Sequence, residues 1–468
     1  MNPVNVNLLH ASVLIGELAK YGARRAVISP GSRSAPLAVA AHSFPGLKTY
    51  TILDERSAAF FALGLSKADG KPVILICTSG TAAANYFPAV IEASRWGVLL
   101  VVLTADRPAA LRQTGAPQTI DQTHLYGNFV RFFADVPEAK LDIERCRAVQ
   151  SIAAEACAAA TGSNPGPVHL NVPLDEPLAP IPESATEVKR LWTALRDEAT
   201  ERPAPRIETE PPEGAMRPVR QLVTESLCGL IVAGPGAASS FEEAEPIFHL
   251  ARKLGWPLLA DVVSGVRLFD EPVAPFYDFF LRTEELAALA PDVVLHLGGF
   301  PTSKMLAQYL DRHRAAQTFR IGRSFQAGDP LFREGMFIES SPAIFCRELA
   351  KRLGPSRDSL LLEPFQRASR LVSEELEHVT RESNDDCEAL VTLAALNALK
   401  EEWNIVLASS LPVRYGDALF ATQGRLHRVY GLRGVNGIDG TLSHAAGIAT
   451  ASGRPTLLVT GDLALVTI

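Results

Sequence analysis

The N-terminal part of the chain alternates between short apolar runs and longer segments whose apolar residues recur at helical spacing. Leu8, Ile15 and Leu18 fall on one face of such a segment, which predicts a helix over residues 7–21. The run from Val73 to Cys77 is apolar at every position. A continuous apolar strand is typical of a parallel sheet that is covered on both faces.

The same alternation continues through the first 180 residues. Further strands are predicted at residues 25–29, 50–53 and 98–103 and within 165–173, and polar or glycine-rich turns follow the first three. Strands and helices that alternate in this way build a doubly wound α/β domain. We therefore predict one such domain at residues 1–180.

Two more α/β units are predicted after a surface linker. Residues 181–220 are rich in proline, glutamate and arginine and are interpreted as the linker. A central Rossmann-like domain is predicted at 221–355, a linker helix at 356–388, and a third α/β domain at 389–468. Gly234-Pro235-Gly236 follows a strand, but the full Gly-x-Gly-x-x-Gly pattern is absent. We expect the central domain to bind no nucleotide.

The turn Asp54-Glu55-Arg56 stands between the strand at 50–53 and a mostly apolar helix. Open α/β sheets bind ligands at the carboxyl ends of their strands. We therefore expect a poorly solvated carboxyl group here, able to share a proton with a ring nitrogen. The plainer alternative is that Asp54 or Ser57 caps the helix and that Glu55 only lies near its positive end.

Arginines recur in the other strand-end or glycine-rich loops. They are Arg33, Arg107, Arg414 and Arg433. A guanidinium group binds a carboxylate through two parallel hydrogen bonds. Four such residues in an otherwise acidic chain predict a small substrate that carries several carboxylates.

Composition narrows the function further. The net charge of −7 over 468 residues argues against a nucleic-acid partner. The six cysteines form no Cys-x-x-Cys pair, so neither a zinc site nor a disulfide framework is indicated and a cytoplasmic location is expected. The first residues lack the pattern of a signal peptide, and no apolar run reaches the ~20 residues of a membrane span.

Several motifs together resemble the thiamine-diphosphate-dependent enzymes, over nearly the whole chain. They are Ile28-Ser29-Pro30-Gly31-Ser32-Arg33-Ser34, Thr104-Ala105-Asp106-Arg107-Pro108, Arg433-Gly434-Val435-Asn436-Gly437-Ile438-Asp439-Gly440 and the late Gly461-Asp462. The resemblance is closest to the branch that acts in menaquinone biosynthesis. It implies three doubly wound parallel-sheet domains, the third of them truncated.

The resemblance also implies roles for individual residues. Glu55 matches the catalytic glutamate that hydrogen-bonds the aminopyrimidine of thiamine diphosphate, and Asp462 matches a ligand of Mg²⁺ (or Mn²⁺) on the diphosphate. Ile438 matches the apolar residue that holds the cofactor in its bent shape. The other cofactor positions are Ser79, Gly80, Gly437 and Gly461. The positions that line the substrate pocket are Ser32, Arg33, Arg107, Gln118, Lys304, Ser410, Arg414 and Arg433.

The implied reaction decarboxylates 2-oxoglutarate and adds the remaining four-carbon unit to isochorismate. The implied assembly is a homodimer or homotetramer. In the resembled family the metal motif continues past Gly-Asp to an asparagine, whereas this sequence ends six residues after Asp462. We therefore expect this polypeptide alone to bind the cofactor weakly or not at all, and the full-length protein to be active.

Two other functions stay open on the sequence. One is a different thiamine-diphosphate carboligase or decarboxylase, of the acetolactate-synthase type, although its small monoacid substrates do not call for four arginines. The other is a cofactor-free protein that only binds partners. A Ser-His-Asp hydrolase has little support, because the chain has no Gly-x-Ser-x-Gly elbow.

Overall fold

The computed structural model describes residues 3–183, 185–196, 210–268, 270–323, 326, 328–333, 335–354, 357–382, 387–399, 402–422 and 427–467. Its described residues divide into two compact units. The first unit draws on residues 1–207, 439–453 and 463–468. The second draws on residues 208–438 and 454–462.

A parallel sheet forms the centre of the first unit. The described strands are β1 (Arg25–Ile28), β2 (Lys48–Thr51), β3 (Val73–Cys77), β4 (Leu100–Asp106), β5 (Phe133–Asp135) and β6 (Val168–Pro173), in the order β2-β1-β3-β4-β6-β5. Every residue of β3 and β4 is buried, as the continuous apolar pattern predicts for strands covered on both faces. All the pairings of this sheet are parallel.

Helices cover both faces of this sheet. They are α1 (Val6–Lys20), α2 (Ala35–Ser43), α3 (Glu55–Asp69), α4 (Thr81–Asn85), α5 (Phe87–Trp96), α6 (Ile143–Thr161) and α7 (Ala185–Arg196). The last of these was not expected, because its proline-rich and charged surroundings predict a linker. Val188, Leu191 and Leu195 nevertheless pack into the apolar core of the first unit, since their spacing places them on one face of the helix. Residues 197–209 of that predicted linker lie outside the described residues, and its last residues, from Glu213 on, form the start of the next helix.

The second unit contains a second parallel sheet with the order β11-β10-β9-β7-β8. Its strands are β7 (Gly229–Ala233), β8 (Leu258–Ala260), β9 (Val293–Leu297), β10 (Gln317–Gly322) and β11 (Met336–Glu339). Its helices are α8 (Glu213–Glu225), α9 (Phe241–Leu254), α10 (Tyr277–Phe280), α11 (Glu284–Ala287), α12 (Lys304–Arg312), α13 (Pro342–Arg352) and α14 (Leu362–Glu382). The central Rossmann-like pattern and the helical character of the connection after it are thus present.

The C-terminal part adds a third parallel sheet, with the order β13-β12-β14 among the described strands. The strands are β12 (Asn404–Leu407), β13 (Arg428–Tyr430) and β14 (Thr456–Val459), and all three belong to the second unit. The helices are α15 (Glu388–Asn397), α16 (Leu411–Leu419), α17 (Thr441–Ser452) and α18 (Asp462–Val466). Of these, α17 and the residues of α18 after Asp462 belong to the first unit.

Two glycines allow α17 to pack directly on α3 within the first unit. A Cβ atom on Gly64 of α3 would lie 2.2 Å from the carbonyl oxygen of His444, and one on Gly447 of α17 would lie 2.2 Å from the carbonyl oxygen of Phe61. Backbone therefore meets backbone at this crossing, and only residues without a side chain fit there. The crossing holds the helix that begins at Glu55.

Candidate active site

The carboxyl ends of β2, β1, β3 and β4 place the sequence-predicted residues of the first unit along one edge of its sheet. Because these four neighbouring strands are parallel, the loops that follow them lie side by side. The residues brought to this edge are Glu55 after β2, Ser32 and Arg33 after β1, Ser79 and Gly80 after β3, and Arg107 after β4. The strand before Glu55 ends at Thr51 rather than at Leu53, so the turn is longer than expected.

Glu55 is the first residue of α3 and is half-buried. Asp54 caps the helix, its Oδ1 accepting a hydrogen bond of 2.8 Å from the backbone N–H of Ser57. The plainer interpretation of Asp54 as a cap is therefore confirmed. It leaves Glu55 available, because the cap uses the neighbouring carboxylate. Burial, followed by the charge of Glu55, raises the pKa of the Cys77 thiol, which places this carboxylate near the end of β3.

The Ser79-Gly80 loop is anchored to a second loop around Gln118. Ser79 Oγ donates to the carbonyl of Gln118 at 3.0 Å, and Gln118 Nε2 donates back to the carbonyl of Ser79 at 3.1 Å. The backbone N–H of Gly80 donates to Gln122 Oε1 at 2.8 Å. This N–H is therefore already satisfied by the protein. Glycine is needed at position 80 because φ is +88° and because Gln118 approaches closely. It does not provide an open anion site.

A buried polar network behind this loop was missed by the sequence reasoning. Gln122 Nε2 donates to the carbonyl of Ala105 at 3.2 Å and to Asn171 Oδ1 at 2.9 Å. Thr104 Oγ1 also donates to Asn171 Oδ1, at 2.9 Å, and lies 2.8 Å from His169 Nε2. Burial lowers the pKa of His169 to about 3, so the imidazole is neutral at physiological pH. The available signal was the presence of His169 and Asn171 inside an otherwise apolar strand.

The two arginines of the first unit differ in how far the protein already uses them. Arg33 is 5% exposed, and its Nη1 donates to the carbonyl of Leu174 at 2.7 Å while its Nη2 lies 3.4 Å from Glu176 Oε1. Arg107 is half-buried, and its Nη2 donates to the carbonyl of Pro117 at 3.2 Å. Its buried Nε has no partner among the described residues. The buried Nε of Arg33 likewise has no partner among the described residues, so both arginines keep one donor for a ligand, while Arg33 also fastens its own loop.

The remaining predicted residues belong to the second unit. The parallel strands β13, β12 and β14 end at one edge of the third sheet. The segment after β13 carries Arg433, Gly437 and Ile438, the segment after β12 carries Ser410 and Arg414, and β14 is followed by Gly461 and Asp462. Arg414 was expected in a loop, but it lies in the first turn of α16, where it is exposed. Ser410 precedes this helix with a φ of 82°, an unusual conformation for a residue other than glycine. Lys304 begins α12 after β9 and is exposed.

Arg433 resembles Arg107 in its bonding. It is half-buried, and its buried Nε has no hydrogen-bond partner within the described part of the chain. A buried N–H that lacks an acceptor is costly. Such a donor is suited to receive an anionic ligand.

The types of residue at these sheet edges are suited to binding thiamine pyrophosphate. Glu55 offers a half-buried carboxylate for the amino group of a ring. Gly461 has open space where a Cβ would be, and the exposed carboxylate of Asp462 follows it. Across the ranges that the structure describes, no group of three metal-ligating side chains is found. A metal ion at Asp462 would therefore need oxygens from the diphosphate and from water.

Comparison with known proteins gives the family. Residues 10–125 match the model of the thiamine pyrophosphate enzyme N-terminal TPP binding domain, and residues 210–398 match the middle domain of thiamine pyrophosphate enzymes. A 2-succinyl-5-enolpyruvyl-6-hydroxy-3-cyclohexene-1-carboxylate synthase of Geobacillus kaustophilus is 40% identical over 97% of this chain and 78% of its own length. The chain belongs to this family.

Relatives of the same name occur in distant organisms. The proteins from Haloarcula marismortui and Thermosynechococcus vestitus are 38% and 39% identical, over 99% and 98% of this chain and 80% and 79% of their own lengths. Membership confirms the thiamine-diphosphate enzyme fold expected from the sequence and the use of thiamine diphosphate. In the described part of the enzyme, no helix has both the length and the apolar character to cross a bilayer.

Proposed function

We propose that the enzyme uses thiamine diphosphate and Mg²⁺ (or Mn²⁺) to decarboxylate 2-oxoglutarate and to join the remaining four-carbon unit to isochorismate. The product would be 2-succinyl-5-enolpyruvyl-6-hydroxy-3-cyclohexene-1-carboxylate, the compound in the printed name of its relatives. The observation that carries the proposal is that name, shared by relatives 38–40% identical over nearly the whole chain. The position of Glu55 at the ligand edge of its sheet supports it.

Glu55 has the role of holding a proton between its carboxylate and the aminopyrimidine. The cap at Asp54 and the close crossing of α3 with α17 fix the start of the helix that carries Glu55, so little movement of the backbone is needed when the ring binds. Thiamine diphosphate supplies the centre at which the 2-oxo acid loses carbon dioxide. The protein's own tasks are therefore to hold the proton at Glu55 and to orient the anionic substrates.

The arginines divide the binding of these substrates. Arg33, Arg107 and Arg433 each keep a buried Nε that has no partner among the described residues, and they are proposed to bind carboxylates directly, because a charge-assisted hydrogen bond would satisfy that donor. Arg33 in addition fastens its own loop through its bond to the Leu174 carbonyl. Ser32, Gln118, Lys304, Ser410 and Arg414 complete the proposed set.

The cofactor positions Ser79, Gly80, Gly437, Ile438, Gly461 and Asp462 remain proposals of the same kind. Asp462 is proposed as the protein's ligand to the metal, with the identity of the ion chosen by octahedral oxygen coordination. A homodimer or homotetramer is proposed as the assembly.

The test is a turnover assay with 2-oxoglutarate, isochorismate, thiamine diphosphate and Mg²⁺. We expect Glu55→Gln to lose at least a hundredfold in kcat with an unchanged fold, because an amide cannot share the proton. Asp54→Asn is the matched control: its side-chain oxygen still caps α3, so it should keep most of the activity. Turnover of pyruvate but not 2-oxoglutarate by the full-length protein would favour an acetolactate-type enzyme instead. Near-normal turnover by Glu55→Gln would remove the assigned role.

A further inference from the structure

A buried group of charged side chains in the second unit lies apart from the residues assigned above. Asp261 follows β8, Arg267 lies six residues later, and Asp417 lies in α16. Their exposed fractions are 0%, 5% and 2%. Charged side chains are seldom so deeply buried unless they are paired, because they lose their hydration.

Asp417 is the centre of this group. Its Oδ1 accepts hydrogen bonds from the backbone N–H of Val262 at 2.9 Å and from the hydroxyl of Tyr277 at 2.9 Å, and it lies 3.2 Å from Arg267 Nη1. These contacts join α16 to a segment about 150 residues earlier in the sequence. Apolar packing of Val262 and Val263 with Val413 and Phe420 surrounds them.

Arg267 makes the same connection with its whole guanidinium group. Its Nε donates to the carbonyl of Phe420 at 2.7 Å, and its Nη2 donates to the carbonyl of Asp417. Its own carbonyl accepts from Thr422 Oγ1 at 3.1 Å. The end of α16 is therefore held by one arginine, through backbone groups that would otherwise lack partners.

Asp261 extends the group to a third segment. Its Oδ2 accepts from the backbone N–H of Thr302 at 2.7 Å, and its Oδ1 accepts from the N–H of Val263 at 2.8 Å. Thr302 lies two residues before Lys304. Asp417 lies three residues after Arg414 in α16, the helix that follows Ser410. The buried group thus joins the two segments that carry Lys304, Ser410 and Arg414.

We propose that Asp261, Arg267 and Asp417 are positioning residues that fix the segments bearing Lys304, Ser410 and Arg414 for substrate binding. The substrate in this inference comes from the proposed function. The hydrogen bonds that connect the two segments do not depend on it. A cluster that only stabilised the fold could lie anywhere in the second unit. This one bonds to backbone or side chain within three residues of two of the proposed substrate contacts.

Because the group is charged, its effect should depend on pH, and a purely apolar contact would not give this pH dependence. The group contains two carboxylates and one guanidinium, of which Asp417 and Arg267 are paired directly, and among the described residues the Tyr277 hydroxyl also contacts Asp417. Burial, followed by the charge of Asp261, raises the pKa of Asp417 to about 7. A change in the charge of Asp417 near neutral pH should therefore alter how α16 is held.

The experiment compares wild-type enzyme with Asp417→Asn and Tyr277→Phe. Asparagine keeps an oxygen for the Val262 N–H but faces Arg267 without a charge, and phenylalanine removes only a hydroxyl. Tyr309→Phe is the matched control: Tyr309 is also buried, but its hydroxyl donates to the carbonyl of Leu289, outside the group. The readouts are KM and kcat for 2-oxoglutarate between pH 6 and 8, the Kd of thiamine diphosphate, and hydrogen–deuterium exchange of α16.

At pH 8, where the wild-type carboxylate is charged, we expect Asp417→Asn to raise KM at least fivefold and to speed exchange in α16, with the Kd of the cofactor unchanged. At pH 6 the difference from wild type should be small, so the pH dependence of KM should be flatter in the variant. Tyr277→Phe should do the same to a smaller degree, and Tyr309→Phe should not. A lower melting temperature with unchanged KM and unchanged exchange in α16 would overturn the inference. If wild-type enzyme does not turn over 2-oxoglutarate, the proposed function fails, while exchange in α16 still tests the connection.

Discussion

The crossing of α3 and α17 makes a sharp prediction about Gly447. A Cβ at this position would lie 2.2 Å from the carbonyl oxygen of Phe61 and 3.0 Å from the backbone nitrogen of Leu65. Both are backbone atoms of a packed helix, so neither can rotate away. Gly447→Ala must therefore push the two helices apart by about 1 Å, since a packed interior has no spare room.

The magnitude follows from two opposing effects. Overpacking of a core costs about 1–3 kcal/mol, and the upper end applies because the obstacle is backbone. Alanine is better than glycine inside a helix by about 1 kcal/mol, which offsets part of this cost. We expect Gly447→Ala to lower the free energy of unfolding by about 2 kcal/mol. Because α3 begins at Glu55, kcat should fall as well.

Gly214→Ala is the control, since Gly214 lies in α8 with no atom within 4 Å of its added Cβ. This variant should be neutral or slightly more stable. The assay is urea unfolding followed by circular dichroism, with turnover measured beside it. Gly64→Ala should resemble Gly447→Ala, and the double variant should cost less than the sum, because one separation of the helices relieves both contacts. A Gly447→Ala protein as stable as wild type would refute the reasoning.

Three further predictions concern other parts of the enzyme. Gln122→Met should lose about 2–3 kcal/mol in urea unfolding, because the Gly80 N–H and the Ala105 carbonyl lose their partner; full stability would contradict the network. Between pH 5 and 7 the folded wild type keeps a proton on Asp417 that the unfolded chain has lost. The free energy of unfolding therefore falls as the pH rises, and Asp417→Asn should remove about 2 kcal/mol of that fall. A thiol reagent should modify exposed Cys387 in the native enzyme before buried Cys346, whose pKa is raised by burial; equal rates would contradict this.

Local pattern was enough to predict much of the fold. The helix predicted over residues 7–21 is found at Val6–Lys20, where the side chain of Asn5 caps its start. The strand at Val73–Cys77 has its predicted bounds. In contrast, α7 was missed because charge and proline dominate the composition around it. Composition averages over a segment, whereas burial depends on a few residues on one face.

The same distinction between local pattern and tertiary contact applies to the candidate site. That Glu55, Ser79 and Arg107 lie at one edge follows from their positions after parallel strands, which a sequence pattern can supply. The availability of each polar group does not follow. The Gly80 N–H is bonded to a glutamine 42 residues later, and Nη1 of Arg33 is bonded to a carbonyl 141 residues later. Such partners are set by topology, and no local pattern contains them.

This difference changes which arginines matter most for substrate binding. The sequence gives Arg33, Arg107, Arg414 and Arg433 equal standing, since each follows a strand or lies in a glycine-rich loop. In the folded enzyme Arg33, Arg107 and Arg433 each keep a buried Nε without a partner in the part of the chain that the structure describes, whereas Arg414 lies exposed on a helix. Only a buried donor without a partner gains a full hydrogen bond from an incoming carboxylate, because water already serves an exposed one. Direct recognition of the substrate carboxylates should therefore fall mainly to Arg33, Arg107 and Arg433 rather than to Arg414.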